Sequence, residues 1–266
     1  MSILRASKVL ANVNLADSQA VIVTEKEPET NVSDVELLAR EYSPFVVDCL
    51  FECRVYLIKC LPPYETIKRT DDSMLLPPLE RGSKPFTLVL DLDETLVHCS
   101  LEYMENCHYC YHIIVDGVKH AVFARVRPYA NQFLEYCSRF CEIVVFTASK
   151  QEYADRMLDF LDPEKKFIKH RLFRESCTKI GKVYVKDLNR LGRDLRRTVI
   201  IDNSIVSFGY HLDNGIPICS WFDNWKDQEL YNAARIMYSL QAVQDVRPYI
   251  TNMFRLRETI DCFICE

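Results

Sequence analysis

Four short apolar runs, each of which stops at a polar signature, constrain the fold of this chain most strongly. The runs TLVL, EIVVF, VYV and TVII are rich in β-branched residues and have the length of strands. Continuous apolarity is typical of strands that are covered on both faces, as in a parallel sheet. The runs end at DLDET, TAS, KDL and DNS. Because ligands bind outside the carboxyl ends of strands in open α/β sheets, we expect these four signatures to converge.

Helical patterns fill the gaps between the runs. PYANQFLEYCSRF and KQEYADRMLDFLDPEK carry apolar residues at helical spacing, Asp162-Pro163 ends the second, and DQELYNAARIMYSLQAV predicts a third helix. The stretch YHIIVDGVKHAVFARV alternates about Asp116-Gly117 and predicts a β-hairpin inserted just after the first core strand. The predicted fold class is therefore α/β, a parallel sheet flanked by helices with one hairpin insertion.

The 266 residues are predicted to form one large domain with an extension. Residues 1–54 contain the acidic stretch TEKEPETNVSD and are expected to be a largely disordered leader. Residues 55–83 are punctuated by proline, and we expect this segment to pack on the core. Residues 84–266 are predicted to form the α/β domain.

The sequence favours an intracellular protein. The first thirty residues lack an apolar segment behind a basic start, and no run of eighteen apolar residues occurs, so neither a secretory signal nor a membrane span is predicted. The twelve cysteines are scattered through a long chain, and we expect them to be mostly reduced. CHYCYH and CFIC lack the second matching pair that a zinc site needs.

Three acids, Asp91, Asp93 and Glu94, follow the first apolar run within four positions. Two carboxylates about 4 Å apart repel by roughly 4 kcal/mol at an effective dielectric constant near 20. A divalent cation with oxygen ligands would relieve this repulsion, and Mg²⁺ is the usual one.

Charge is distributed unevenly along the chain. The net charge is −5, which argues against nucleic acid as the main partner, yet residues 165–197 contain twelve Lys or Arg and three acids. A phosphate-bearing substrate would suit this basic segment, and a solvated basic face explains it equally simply.

Taken together, the polar signatures resemble the four motifs of the haloacid dehalogenase (HAD) superfamily. The matching residues are Asp91, Asp93, Thr95, Thr147, Lys186, Asp202 and Asn203. The strings DLDETLVH, FTASKQEYAD, RLFRESC and VKDL resemble its FCP/SCP branch, the small phosphatases named for the C-terminal domain (CTD) of RNA polymerase II. Four motifs in order, each after an apolar run, are far more specific than any one alone. The resemblance covers roughly residues 55–260 and implies a HAD-like phosphatase domain over 84–266.

The resemblance also implies roles for the acidic residues. Asp91 would attack phosphorus and form an aspartyl-phosphate, and Asp93 would act first as general acid and then as base. Mg²⁺ would be bound by the Asp91 carboxylate, the Asp93 backbone carbonyl and Asn203. Asp202 would hold a metal-bound water or steady the motif lysine.

Substrate contacts are implied at the same place. Thr147 and Lys186 would bind the phosphate oxygens, and Thr147 could equally cap the following helix. Arg174 would contact the phosphosubstrate or form a structural ion pair. Apolar side chains around the hairpin would line a pocket for substrate residues beside the phosphoserine, or else belong to the core; they are Leu101, Ile113, Val115 and Val122.

Two positions depart from the pattern of this branch. Ile205 follows DNS where proline is usual, and its greater freedom is expected to loosen the loop beyond the metal ligand. Lys150 stands where related small phosphatases have a hydrophobic residue. That lysine argues against an inherited preference for a proline-bearing CTD repeat.

The predicted function is Mg²⁺-dependent hydrolysis of phosphoserine or phosphothreonine in proteins, with the polymerase CTD or another phosphoprotein as substrate. The alternative is a catalytically silent scaffold that binds phosphopeptides, but retention of every motif residue favours the enzyme. A small-molecule phosphatase is disfavoured because the short hairpin leaves the cleft open. No direct nucleic-acid partner is expected, and only the resemblance suggests the nucleus rather than the cytoplasm.

Overall fold

The computed structural model describes residues 51–68, 73–80, 82–115 and 117–263. The predicted leader, residues 1–54, lies outside these ranges except for its last four residues. In chain order the strands are β1 (Phe86–Leu90), β2 (Val97–Ser100), β3 (Tyr109–Val115), β4 (Val118–Val126), β5 (Cys141–Phe146), β6 (Ile168–Leu172), β7 (Thr178–Ile180), β8 (Val183–Val185), β9 (Thr198–Asp202) and β10 (Gly215–Pro217). The helices are α1 (Phe51–Lys59), α2 (Tyr64–Ile67), α3 (Ala130–Ser138), α4 (Gln151–Leu161), α5 (Glu229–Leu240), α6 (Arg247–Phe254) and α7 (Leu256–Cys262).

A parallel sheet in the order β10-β9-β1-β5-β6 is the centre of the fold. The strands β1 and β9 are buried along their whole length, as their continuous apolar sequences predict. Three of the four apolar runs lie in this sheet, in β1, β5 and β9. The predicted α/β class with a parallel central sheet is confirmed.

The prediction was wrong for the run VYV. The strand β8 pairs antiparallel with β7 in a separate two-stranded sheet, and only its last residue is buried. A run of three apolar residues is too short to indicate burial on both faces. Conversely, β6 and β10 were not predicted, because β6 carries three polar residues in IKHRL and β10 is a three-residue edge strand that ends at Pro217.

The predicted hairpin is present as β3 and β4. Their register pairs Val115 with Val118, so the chain turns at the predicted position, and Gly117 has a φ of +80° that favours glycine. Asp116 lies outside the described residues. The strand β2 pairs with the other edge of β4, which extends the insertion to three strands.

The helices α3, α4 and α5 lie within the three predicted helical stretches. The helix α4 ends at Leu161, and the next residue, Asp162, fixes the turn that follows: its carboxylate, 1% exposed, accepts hydrogen bonds from the backbone N–H groups of Lys166, Phe167 and Ile168. Proline at position 163 could not continue the helix. No helix in the described part of the chain is long and apolar enough to cross a membrane.

The segment that precedes β1 contributes to the core. Val55 of α1 and Leu76 are buried in the same apolar cluster as the central sheet. Gly209 illustrates how closely this segment approaches the rest of the fold, because a Cβ at that position would lie 2.7 Å from Cδ1 of Leu61.

Candidate active site

The polar signatures that follow β1, β5 and β9 meet in one open cleft of about 710 Å³. These three strands are neighbours in the sheet and run in the same direction, so their carboxyl ends lie side by side. The predicted catalytic, phosphate-binding and metal-binding residues all line this cleft: Asp91, Asp93, Thr147, Lys186, Asp202 and Asn203.

A buried lysine holds two of the acids. The ammonium of Lys186 donates to Asp91 Oδ1 and to Asp202 Oδ2, each at 2.6 Å. Lys186 is 1% exposed, and burial of a charge at this depth costs several kcal/mol unless it is paired and hydrogen-bonded. Although it follows β8 rather than a central strand, its backbone N–H donates to the carbonyl of Ser207, which fixes it beside the end of β9.

The electrostatics of this cluster favour an added positive charge. Burial raises the pKa of Asp91 to about 7, with Lys186 opposing the rise and Asp202 and Asp93 adding to it. Burial by itself would lower the pKa of Lys186, but the carboxylates of Asp202 and Asp91 raise it instead. One ammonium therefore faces three carboxylates, an imbalance that a divalent cation would correct.

The donor set around Asp91 fits Mg²⁺. The Asn203 amide nitrogen donates to Ser220 Oγ at 2.9 Å, so its carbonyl oxygen is the ligand atom on offer. With the Asp91 carboxylate and the Asp93 backbone carbonyl, this gives hard oxygen donors, and Mg²⁺ typically takes one or two carboxylates and keeps several waters. Across the described ranges, no group of three or more His, Cys, Asp or Glu could hold a metal, so the set must be mixed.

Asp202 was assigned two alternative roles, and its contacts favour one. Its Oδ2 accepts from Lys186, and its Oδ1 accepts from the backbone N–H of Ser204 at 2.7 Å. Both oxygens are therefore engaged by the protein, as are those of Asp91, whose Oδ2 accepts from Thr95 Oγ1 at 3.1 Å. The contact with Lys186 supports the role of steadying the lysine, and the role of holding a metal-bound water stays a prediction.

Hydroxyl groups hold the carboxylate of Asp93. Its Oδ2 accepts from Ser149 Oγ at 2.6 Å and from Thr147 Oγ1 at 3.4 Å, and its Oδ1 accepts from the hydroxyl of Tyr153. Burial and the charge of Asp93 raise the pKa of Tyr153, which keeps that phenol a proton donor. Neither Ser149 nor Tyr153 was predicted from the sequence. Both lie in the motif string FTASKQEYAD, across the start of α4, and that position was the signal that could have indicated them.

Thr147 also has a local role. Its hydroxyl accepts a hydrogen bond from the backbone N–H of Ser149 at 3.0 Å. Ser149 lies two residues before the first residue of α4. The residue at the N-cap position of α4 is Lys150. Thr147 therefore shapes the turn before the helix rather than capping the helix itself.

Arg174 contacts a backbone carbonyl and an aromatic ring. Its Nε donates to the backbone carbonyl of Ala148, and its guanidinium lies 5.1 Å from the ring centroid of Tyr184. No ion pair to a carboxylate is found for it among the described residues. Its side chain lines the cleft, so contact with substrate stays a prediction.

The predicted apolar pocket is only partly described. Ile113, Val122 and Leu101 line the cleft, Val122 being 1% and Leu101 60% exposed. The side chain of Val115 lies outside the described residues. Ile205 is fully buried in the core cluster, and whether it loosens the neighbouring loop stays a prediction.

The segment that precedes β1 also contacts the rear of the site, which the sequence did not indicate. Arg54 donates to the backbone carbonyl of Asn203 at 3.1 Å. The hydroxyl of Tyr64 donates to Asp187 Oδ2 at 3.0 Å, and the other oxygen of Asp187 lies 3.0 Å from His211. Asn203 and the residue next to Lys186 are thus tied to the N-terminal segment.

Comparisons with known proteins give consistent results. Residues 86–247 match the model of the family described as NLI interacting factor-like phosphatase. The chain is 48% identical over 185 residues to CTD small phosphatase-like protein 2 of Dictyostelium discoideum, an alignment that covers 70% of this chain and 32% of the relative. It therefore spans about a third of the length of that relative.

Two further relatives are covered more fully. CTD small phosphatase-like protein 3 of Caenorhabditis elegans is 40% identical over 234 residues, which is 88% of this chain and 80% of the relative. Carboxy-terminal domain RNA polymerase II polypeptide A small phosphatase 1 of Homo sapiens is 44% identical over 180 residues, which is 67% of this chain and 69% of the relative. These matches confirm the resemblance inferred from the motifs.

The cation site makes a prediction that needs no enzyme assay. MgCl₂ should raise the melting temperature above that in EDTA, because a ligand present at about a hundred times its Kd stabilises by about 2.7 kcal/mol. Asn203→Ala should remove most of this shift. Asn131→Ala, at an exposed position on α3, is the matched control and should keep it. An absent shift in the wild type, or equal shifts in both variants, would contradict the assignment; thermal unfolding followed by circular dichroism gives the answer.

Proposed function

This chain belongs to the NLI interacting factor-like phosphatase family, and on that premise we propose that it is a Mg²⁺-dependent phosphatase that removes phosphate from phosphoserine or phosphothreonine in proteins. The observation that carries the proposal is the buried contact of Lys186 with Asp91 and Asp202, beside Asp93 in an open cleft. A phosphomonoester needs a nucleophile, a proton donor and positive charge, and this arrangement offers all three.

In the first step a carboxylate oxygen of Asp91 attacks phosphorus. The bond between phosphorus and the seryl or threonyl oxygen breaks, and that oxygen takes a proton from the carboxyl group of Asp93. Thr147 and Lys186 bind the remaining phosphate oxygens. When bound at Asp91, Mg²⁺ would offset the repulsion between the nucleophile and the phosphate.

In the second step Asp93, now a carboxylate, takes a proton from water as the water oxygen attacks phosphorus. The bond between phosphorus and Asp91 breaks, its electron pair returns to the carboxylate, and inorganic phosphate leaves. Ser149 and Tyr153 donate hydrogen bonds to Asp93 and so hold its carboxylate in place between the two steps.

An open cleft supports a protein substrate. The insertion after β1 is a small three-stranded sheet, and the cleft of about 710 Å³ exceeds the space that one phosphorylated side chain needs. The name of the human relative refers to the C-terminal domain of RNA polymerase II, so a phosphorylated segment of that kind is one proposed substrate. A nuclear location would follow from such a substrate.

Loss of the nucleophile tests the proposal. With a generic aryl phosphate and Mg²⁺, Asp91→Asn should lower kcat/KM on the order of 10⁴-fold, because no other group can take over the covalent step. EDTA should abolish wild-type turnover. Asp159→Asn, at an exposed position on α4, is the control and should retain full activity. A wild type that is inert with Mg²⁺ from about pH 5 to about pH 8 would instead support the silent scaffold.

The role of Asp93 makes a second kinetic prediction. Asp93→Asn cannot protonate a leaving group, so activity on a phosphoserine peptide should fall at least about tenfold more than activity on an aryl phosphate, whose leaving oxygen needs less help. The variant should also release a burst of phenol before a slow steady state, since activation of water is lost. Equal losses on both substrates without a burst would show that Asp93 is not the acid and base.

A further inference from the structure

Apart from Lys186, which is paired with two acids, the cations and the carboxylates that line the cleft follow different strands. The carboxylates of Asp91, Asp93 and Asp202 follow β1 and β9. The cations Lys150, Arg174 and Lys182 line the same cleft, after β5, after β6 and at the turn between β7 and β8. The cleft therefore contains an acidic group suited to a cation and a basic group suited to an anion.

Contacts made through neighbouring residues connect the three cations, which we call the basic wall and define as Lys150, Arg174 and Lys182. Ser149, next to Lys150, accepts a hydrogen bond from the backbone N–H of Arg174 at 3.0 Å. The guanidinium of Arg174 lies over the ring of Tyr184, two residues beyond Lys182. The wall is thus continuous from the start of α4 to the β7–β8 turn.

The lysines of the wall differ in their ion pairing from several residues of the basic segment 165–197. Several of its basic side chains are paired with acids, and these are Lys166, Arg171, Arg193 and Arg196. Lys150 and Lys182 are exposed, and within the described ranges neither has a carboxylate partner within 4.0 Å. Unpaired positive charge therefore remains inside the cleft, where it can act on a bound ligand.

We propose that the basic wall is a subsite for a second anionic group of the substrate, a carboxylate or a second phosphate close to the phosphoserine in the same peptide. The inference rests on the proposed function, because it names the substrate class of the same site. Lys186 and Thr147 are occupied by the phosphate that is removed, so the charge of the wall is left for a neighbouring residue. The site thereby selects acidic or multiply phosphorylated segments over neutral ones.

Binding of matched peptides tests this subsite without turnover. Three labelled peptides share one phosphoserine and differ in its neighbours, which are alanines, aspartates, or alanine with a second phosphoserine. Fluorescence anisotropy with Asp91→Asn protein should show about tenfold tighter binding of both anionic peptides than of the neutral one, and added salt should shrink this preference. The aspartate and phosphoserine arms show which anion the wall prefers.

The variants assign the effect to the wall. In the same background, Lys150→Leu with Lys182→Gln should lower the preference at least about threefold, and the cation of Arg174 accounts for what remains. Lys166→Gln with Lys169→Gln removes the same charge at exposed positions outside the cleft and should leave the preference unchanged. Equal binding of the three peptides by the parent protein, or a preference undiminished by the loss of Lys150 and Lys182, would overturn the subsite.

A separate assay keeps the two proposals apart. If wild-type protein hydrolyses an aryl phosphate but the Asp91→Asn protein binds all three peptides equally, the proposed function holds and the subsite is refuted. If the wild type is inert and the preference still depends on Lys150 and Lys182, the phosphatase proposal fails and the subsite is supported.

Discussion

The buried ammonium of Lys186 is the interaction on which the rest of the site depends. Asp91 and Asp202 end adjacent parallel strands, so the sheet forces their carboxylates together in a region where water cannot screen them. A cation between them offsets their repulsion, and it simultaneously fixes Asp91, the end of β9 and the loop after β8. Removal of the ammonium would leave two uncompensated buried charges, so Lys186 is needed for the structure of the site as well as for the phosphate binding that we propose.

The order of the strands in the sheet determines where acidic and basic groups lie in the cleft. Acids lie at the ends of β1 and β9, while hydroxyl and basic groups follow β5 and β6. A cation and a phosphate can therefore be bound next to each other in the cleft. The N-terminal segment adds support from behind, through Arg54 at the carbonyl of Asn203 and Tyr64 at Asp187. The positions of the cleft residues therefore depend in part on residues outside the cleft.

The sequence predicted what has a strong local signal. Three largely apolar strands and the polar signatures that follow them could be identified because burial on both faces leaves a continuous run. The run VYV misled because three residues cannot report their tertiary surroundings. The strand β6 was missed because it carries three polar residues, and β10 because it has only three residues and ends at Pro217. Ser149 and Tyr153 were missed for another reason: only packing decides which face of α4 meets Asp93.

The central claim is that phosphate is carried covalently by Asp91, and chemical trapping tests it most directly. Protein that is turning over a phosphomonoester is quenched and treated with borohydride, which reduces an acyl phosphate to the alcohol, and the digested peptides are then sequenced by mass spectrometry. The account predicts homoserine at position 91 and only in samples that received substrate and Mg²⁺. Reduction at a different carboxylate, or none during demonstrable turnover, would contradict it.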